Sequence, residues 1–210
     1  MRFRLKNYAH AKVFLYLIVY FIWFILLEQH NNRQFNMMYC KIDDYIPFLE
    51  VFVIPYILWF AYICVAVGYL LLFEIKDFYQ CTAFLFAGMT ICLIIYTVCP
   101  NAQALRVDSF PRNNLCTRLV KMFYTADTST NVCPSIHVYN SIGAHIAVWR
   151  CKSLKKHPII QYGSLILMIL ICLSTMFIKQ HSFIDFICGI GLAVIMYVII
   201  YKTKLFSKLK

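Results

Sequence analysis

Acidic residues are scarce in this chain. Nine aspartates and glutamates stand against twenty lysines and arginines in 210 residues, and no carboxylate cluster suited to Mg²⁺ occurs between the apolar segments. Charge of either sign makes up only 14% of the sequence, too little for a water-soluble fold with its alternating polar and apolar positions. The ten cysteines include no C-x-x-C pair, which leaves neither a zinc motif nor a thioredoxin-like one. There is no internal repeat, no low-complexity stretch and no polar region longer than about 35 residues. These absences point to one integral membrane domain covering residues 1–210.

What is present is apolar. Hydrophobic residues make up 62% of the chain and mean hydropathy is +0.70. A membrane-crossing helix needs roughly 17–25 predominantly apolar residues. Six segments approach that length, at approximately 11–27, 51–73, 81–99, 134–149, 159–178 and 183–201. The expectation is an all-α, polytopic six-helix bundle with short loops. The fourth segment, PSIHVYNSIGAHIAVW, carries polar residues that hydrocarbon would not tolerate unless other helices covered them. It belongs inside the bundle. The first segment lacks a small-residue cleavage site and continues into LLEQHNNRQF, as expected of an uncleaved anchor.

Six crossings place both ends on one side, and the distribution of basic residues says which. Arg2, Arg4, Lys6, Lys12, Lys76, Arg150, Lys152, Lys155, Lys156, Lys202, Lys204, Lys208 and Lys210 fall on a common face, so both termini are expected to be cytoplasmic. The seven others face outward. Arg33 and Lys41 lie near Asp43, Asp44 and Glu50, whereas Arg106, Arg112, Arg118, Lys121 and Lys179 meet only Asp108 and Asp127. This surplus of cations on the disfavoured side suggests an outward-facing anion site. The same topology makes nucleic acid a poor explanation for the net charge of +11. Cys64, Cys92, Cys172 and Cys188 read as small hydrophobes within spans. Cys40, Cys99, Cys116 and Cys133 face outward and are free to pair, with no connectivity set by the sequence.

The polar residues of the fourth and sixth segments converge on that outward face. Pro134 suits the first helical position, where its missing N–H has no partner to lose. Both helices run inward and direct their N-terminal dipole ends outward, which favours an anion. His137 lies on the first turn of the fourth segment, two residues after Ser135. His181 opens the sixth, with Asp185 at i+4 on the same helix face. A carboxylate there can accept the imidazole Nδ1–H and leave Nε2 available as nucleophile or base. An aspartate at membrane depth is costly, and His181 is its evident partner. His145 lies deeper and reads as a core hydrogen-bonding residue. His10, His30 and His157 read as interfacial or loop residues.

PSIH (134–137) and STMFIKQHSFID (174–185) resemble the second and third signature motifs of the type 2 phosphatidic acid phosphatase superfamily. The third motif, S-R-x5-H-x3-D, is matched by Ser174, His181 and Asp185, with Thr175 in the arginine position. The second, P-S-G-H, is matched with Ile136 for glycine. The first, K-x6-R-P, retains only Arg106; Cys99 and Val107 replace its other members. Lys179 and Arg112 are candidate substitutes for the missing cations. P-S-x-H with K-Q-H also resembles the branch containing inositol phosphorylceramide synthase and sphingomyelin synthase. The motifs span residues 99–191.

The resemblance implies a lipid phosphate or pyrophosphate phosphatase at the outer membrane interface, with no metal or cofactor. In these terms His181 is the nucleophile that becomes phosphohistidine, Asp185 orients it, and His137 protonates the leaving alcohol. Ser135, Arg106, Lys179, Ser174 and Arg112 are the phosphate-binding candidates. The expected partners are a membrane lipid phosphate and the bilayer itself. Two alternatives stand beside it: a phosphotransferase that delivers the phospho-group to a lipid alcohol, and a non-catalytic binding or transport protein. Neither the lipid's identity nor the oligomeric state is legible.

Overall fold

A computed structural model describes residues 9–29 and 34–203. Arg2, Arg4, Lys6, His30, Arg33, Lys204, Lys208 and Lys210 lie outside the described residues. The described residues are mainly helical, with one short strand pair. A 3-10 stretch (Ala9–Leu15) leads into α1 (Tyr16–Gln29), and β1 (Asn36–Met37) and the four-residue α2 (Ile42–Tyr45) follow. A 3-10 turn (Glu50–Phe52) opens α3 (Val53–Phe73), which is followed by α4 (Ile75–Val98), β2 (Asn101–Ala102) and α5 (Leu115–Ala126). The bundle is completed by α6 (Ile136–Arg150), α7 (Pro158–Phe177) and α8 (Phe183–Tyr197), which ends in a π-helical turn (Val198–Lys202).

Among the described residues, five helical stretches are long and apolar enough to cross a membrane: His10–Gln29, Glu50–Phe73, Ile75–Val98, Pro158–Phe177 and Phe183–Lys202. Their outer faces carry large apolar side chains, with Val65 72% and Ile159 87% exposed. An apolar exterior of this extent suits hydrocarbon as solvent. The helix α6 differs from these five. Its 15 residues span about 22 Å at helical rise, short of the roughly 30 Å hydrocarbon layer. It sits at the centre, packed against α3, α4, α7 and α8. That position covers Asn140 and Ser141, which are buried, as its polar composition requires.

Close approach makes this central position possible. A Cβ on Gly143 of α6 would lie 2.6 Å from the Phe84 ring, and one on Gly88 of α4 would lie 2.0 Å from the Tyr139 ring. Phe84 and Tyr139 stack at 4.8 Å with an interplanar angle of 6°. Small residues thus let α4 and α6 interlock through one aromatic pair, the packing mode favoured between membrane helices.

Three boundaries differ from the sequence expectation. The segment expected at 81–99 starts at Ile75, and Glu74 alone separates α3 from α4. Lys76 and Asp77 lie in the first turn of α4, not in a loop. Asp77 there complements the positive dipole end, so polar residues that read as a loop extend the helix. At the fourth segment, Pro134 precedes the helix; Ser135 is the N-cap and Ile136 the first helical residue. The third outer loop contains the amphipathic α5, capped by Asn114, whose side chain accepts from Thr117 N–H at 2.9 Å. Val120 of α5 packs with Val53, Tyr56 and Ile178 in a second small core.

The end of the bundle that holds β1, β2 and α5 is tied together by hydrogen bonds. Strands β1 and β2 pair in parallel. Asn101 at the end of this pair accepts from Val132 N–H and Cys133 N–H at 2.8 Å each and donates to Cys133 O at 2.9 Å. One buried asparagine therefore fixes the approach to α6, and with it the position of His137. All ten cysteines carry free thiols.

Candidate functional site

The α7–α8 connection sets the first histidine. Helix α7 ends with Lys179 in the left-handed region (φ 56°), a conformation that commonly closes helices. The Thr175 carbonyl accepts from both Gln180 N–H and His181 N–H at 2.9 Å. This reverses the chain and holds the His181 ring against α8. Ser182 and Asp185 then form a capping box, satisfying two otherwise orphaned N–H groups. The cap places Asp185 Oδ2 at 2.9 Å from Ser182 N and 3.4 Å from His181 Nδ1. Asp185 is fully buried. Its second oxygen has no hydrogen-bond partner, so the carboxylate's charge is directed at the imidazole and the cap.

His137 approaches from α6. Its ring lies between Tyr56 (4.7 Å, 25°) and Trp59 (4.2 Å, 45°) of α3, and its Nδ1 is 3.4 Å from His181 Nε2. A proton on His181 Nδ1 bonded to Asp185 leaves Nε2 as an acceptor facing His137 Nδ1–H. Three of the predicted site residues, His137, His181 and Asp185, thus form one chain of contacts.

The remaining predicted residues do not join it in the expected way. The buried Ser135 Oγ accepts from Val138 N–H at 3.4 Å, and its N–H donates to Asp185 O at 3.1 Å. It is the α6 cap and a strut to α8, with no exposed surface for a ligand. Ser174, also fully buried, donates to Ile171 O at 2.6 Å within α7. Thr175 likewise donates to Cys172 O at 2.8 Å. Arg112 pairs with Glu50 at 3.1 Å at the bundle surface. Lys179 Nζ donates to Asp43 O and Ile46 O at 2.9 and 2.6 Å, pinning the first outer loop. Burial pulls the Lys179 ammonium below its ordinary pKa, while Asp43 and Asp44 oppose that shift.

Arg106 is the nearest cation. It donates to Tyr124 O, Asp127 O and Thr128 O at 2.8–2.9 Å and to Gln180 Oε1 at 2.8 Å. Its planar fork therefore clamps the segment beside the histidines and fixes the Gln180 amide.

The expectation of two anion-binding helix ends also needs revision. Asp43 of α2 occupies the α8 terminus: its carboxylate accepts from Ser182 Oγ at 2.6 Å and Phe183 N–H at 2.8 Å. Only the α6 terminus remains without a protein carboxylate among these hydrogen bonds.

Beneath the histidines lies a cavity of about 510 Å³, lined by α1, α3, α4 and α6 and roofed by residues 127–132, Gln180 and His181. Apart from its polar roof it is walled by aromatic and aliphatic side chains. Asp127, Asn140 and Gln180 line it near the histidines. Gln180 Nε2 and Asn140 Oδ1 are buried without a protein partner, which is uncommon for polar atoms. Burial raises the Asp127 carboxyl pKa, with Glu28 adding to the shift and Arg106 and His181 opposing it. Asn140 follows His137 at i+3, so its presence on that face was implicit in the helical spacing. Gln180 adjoins His181 in sequence. Asp43 and Asp127 had no local signal, because they reach the site by long-range loop contacts.

His145 makes a hydrogen bond as expected, with Nδ1 3.0 Å from Ser164 Oγ, but it is half-buried. His10, expected to be interfacial, is buried, with Nε2 2.9 Å from Leu71 O. Among the described residues, no group of three or more His, Cys, Asp and Glu residues could hold a metal ion. No protein-family model, curated protein or solved structure matches the chain.

Proposed function

We propose that the protein is a lipid phosphate phosphatase that works through a phosphohistidine, in the manner of the superfamily its PSIH and KQHSFID motifs resemble. The observation that carries this reading is the contact chain Asp185–His181–His137 at the head of an apolar cavity. An orienting carboxylate, a nucleophilic imidazole and a second imidazole are the groups that nucleophilic displacement of an alcohol from phosphorus requires.

His181 Nε2 attacks phosphorus, and the N–P bond forms as the bond to the lipid oxygen breaks. His137, as imidazolium, gives its proton to that oxygen, so the alcohol leaves neutral. Water then attacks phosphorus as the N–P bond breaks, and His137 takes the water's proton. Phosphate departs, leaving His181 as the neutral imidazole and His137 again as imidazolium. The Gln180 amide, oriented by Arg106, and the α6 terminus are the donors nearest the non-bridging oxygens. Fixed dipoles and one guanidinium stabilise charge there without a metal. In the membrane, α6 completes a set of six crossings. Both termini are then cytoplasmic and the histidines lie at the outer interface.

The test is phosphate release by the purified protein from a panel of lipid phosphates, with His181→Ala and His137→Ala beside wild type. Both variants should be folded and lose release by about a hundredfold or more. Acid-labile, base-stable ³²P should be trapped on wild type and be absent from His181→Ala. Substantial turnover in His181→Ala, or complete inhibition by EDTA, refutes the mechanism. Adding a lipid alcohol separates hydrolysis from transfer by product.

A further inference from the structure

We propose that the cavity beneath the histidines is a ruler for one hydrocarbon chain, with Gly68 at its far end setting the length accepted. The inference rests on the phosphate-transfer reading of His181 and His137. It adds which lipids that site takes.

The evidence is shape. The α3 wall runs from Tyr56, which stacks on His137, to Gly68, twelve residues or about 18 Å at helical rise. The α4 wall runs from Tyr96 to Thr82, fourteen residues or about 21 Å. Half of a roughly 30 Å hydrocarbon layer is about 15 Å, so an extended chain from one leaflet fits along its whole length. A volume of about 510 Å³ over that length leaves a section of about 25 Å². Carbon atoms in contact sit about 3.5–4.0 Å apart, so one extended chain takes roughly 20 Å² and two cannot lie abreast. The walls below the histidines, including Trp59, Ile63, Leu85 and Met89, carry no charged side chain.

Gly68 differs from the glycines that make helix contacts. A Cβ there meets nothing within 4 Å, whereas one at Gly88 or Gly143 would collide with a buried ring. The absent side chain at Gly68 is therefore space at the end of the cavity. A lipid chain moving from the bilayer into this cavity exchanges one apolar surrounding for another, so hydrophobicity discriminates little. Length is read by fit. A short chain leaves a void and forfeits dispersion contacts, and a long one presses on Phe14, Val67 and Thr82, which line the cavity beside Gly68.

The experiment uses the full-length protein in detergent micelles and n-alkyl phosphates from octyl to octadecyl. For wild type, kcat/KM for phosphate release should rise with chain length to a maximum and then fall. Gly68→Leu should lose about tenfold or more on the longest chains and keep wild-type activity on octyl phosphate. Ile63→Trp, more than one turn nearer the histidines, should move the limit to shorter chains still. Profiles parallel to wild type in both variants overturn the ruler. If wild type hydrolyses no member of the series, the phosphatase reading fails, and the ruler is then decided by ligand-induced thermal stabilisation. A Tm gain peaking at a particular length in wild type, and at a shorter one in Gly68→Leu, supports it. A gain independent of length overturns it.

Discussion

Truncating Asp43 should loosen the site from outside. This carboxylate is buried and accepts three hydrogen bonds: from Cys40 N–H at 2.8 Å, Ser182 Oγ at 2.6 Å and Phe183 N–H at 2.8 Å. Two of these donors belong to the start of α8, where Ser182 follows His181. Loss of a helix-terminal partner costs about 0.5–2 kcal/mol, and each buried donor left unpaired adds about 1–3 kcal/mol. Water entering the space left by the side chain recovers part of this, so Asp43→Ala should destabilise the protein by about 3 kcal/mol. Asp43→Asn keeps one carbonyl oxygen for Phe183 N–H and should cost about half as much. Asp44 supplies the control. It is exposed, and its Oδ2 accepts from Tyr39 OH at 2.6 Å, so Asp44→Ala should stay within about 0.5 kcal/mol. The measurement is denaturant unfolding in micelles followed by tryptophan fluorescence, alongside phosphate release. Equal stability of Asp43→Ala and Asp44→Ala would refute the claim that a loop carboxylate secures the His181 turn.

Three further outcomes follow from packing and charge. Gly88→Ala should destabilise by about 1–3 kcal/mol, because its Cβ would meet the Tyr139 ring at 2.0 Å while that ring is stacked on Phe84. Gly163→Ala, with nothing within 4 Å of the added carbon, should be neutral or stabilising in the same unfolding assay by up to about 1 kcal/mol. Asp127 makes stability depend on pH: its folded carboxyl pKa is raised above the unfolded value. The native state then holds the proton more tightly, and stability falls as pH rises from the ordinary aspartate range through the folded pKa. The stability difference between wild type and Asp127→Asn should therefore shift toward the variant over that window. A constant difference would refute it.

The long apolar helices were legible because hydrocarbon imposes both composition and length on a crossing segment. The polarity of the fourth segment also foretold its central position. The Asp185–His181 pair followed from i, i+4 spacing, and His137 was placed beside it by orientation alone. Boundaries were less visible. Lys76 and Asp77 read as loop, although a helix end accommodates them. The amphipathic α5 went unnoticed because its apolar residues cover only one face, packing on Tyr56 and Ile178 while the other face stays polar. Ser135, Ser174, Lys179 and Arg112 were assigned to a phosphate from motif position or charge. Each is committed elsewhere by hydrogen bonds that local sequence does not encode.

Three of the loop cations are taken up by the protein itself. A basic residue is retained more readily where it holds structure together, and Arg106, Arg112 and Lys179 find protein acceptors. Arg106 clamps residues 124–128, Lys179 pins the α2 loop, and Arg112 meets Glu50. At the same time Asp43 fills the α8 terminus that seemed ready for a ligand. The donors of Arg106 and Lys179 are thus spent largely on backbone carbonyls. A ligand at the histidines would meet mainly neutral donors, Gln180 and the α6 terminus, with Arg106 behind them. A phosphate bound there, as the proposed function requires, would be held less by net charge than by dipoles fixed in place, which keep their strength in a water-poor cavity. It follows that the loops clamped by Arg106 and Lys179 preserve the donor geometry, and that no local motif could have revealed this division of labour.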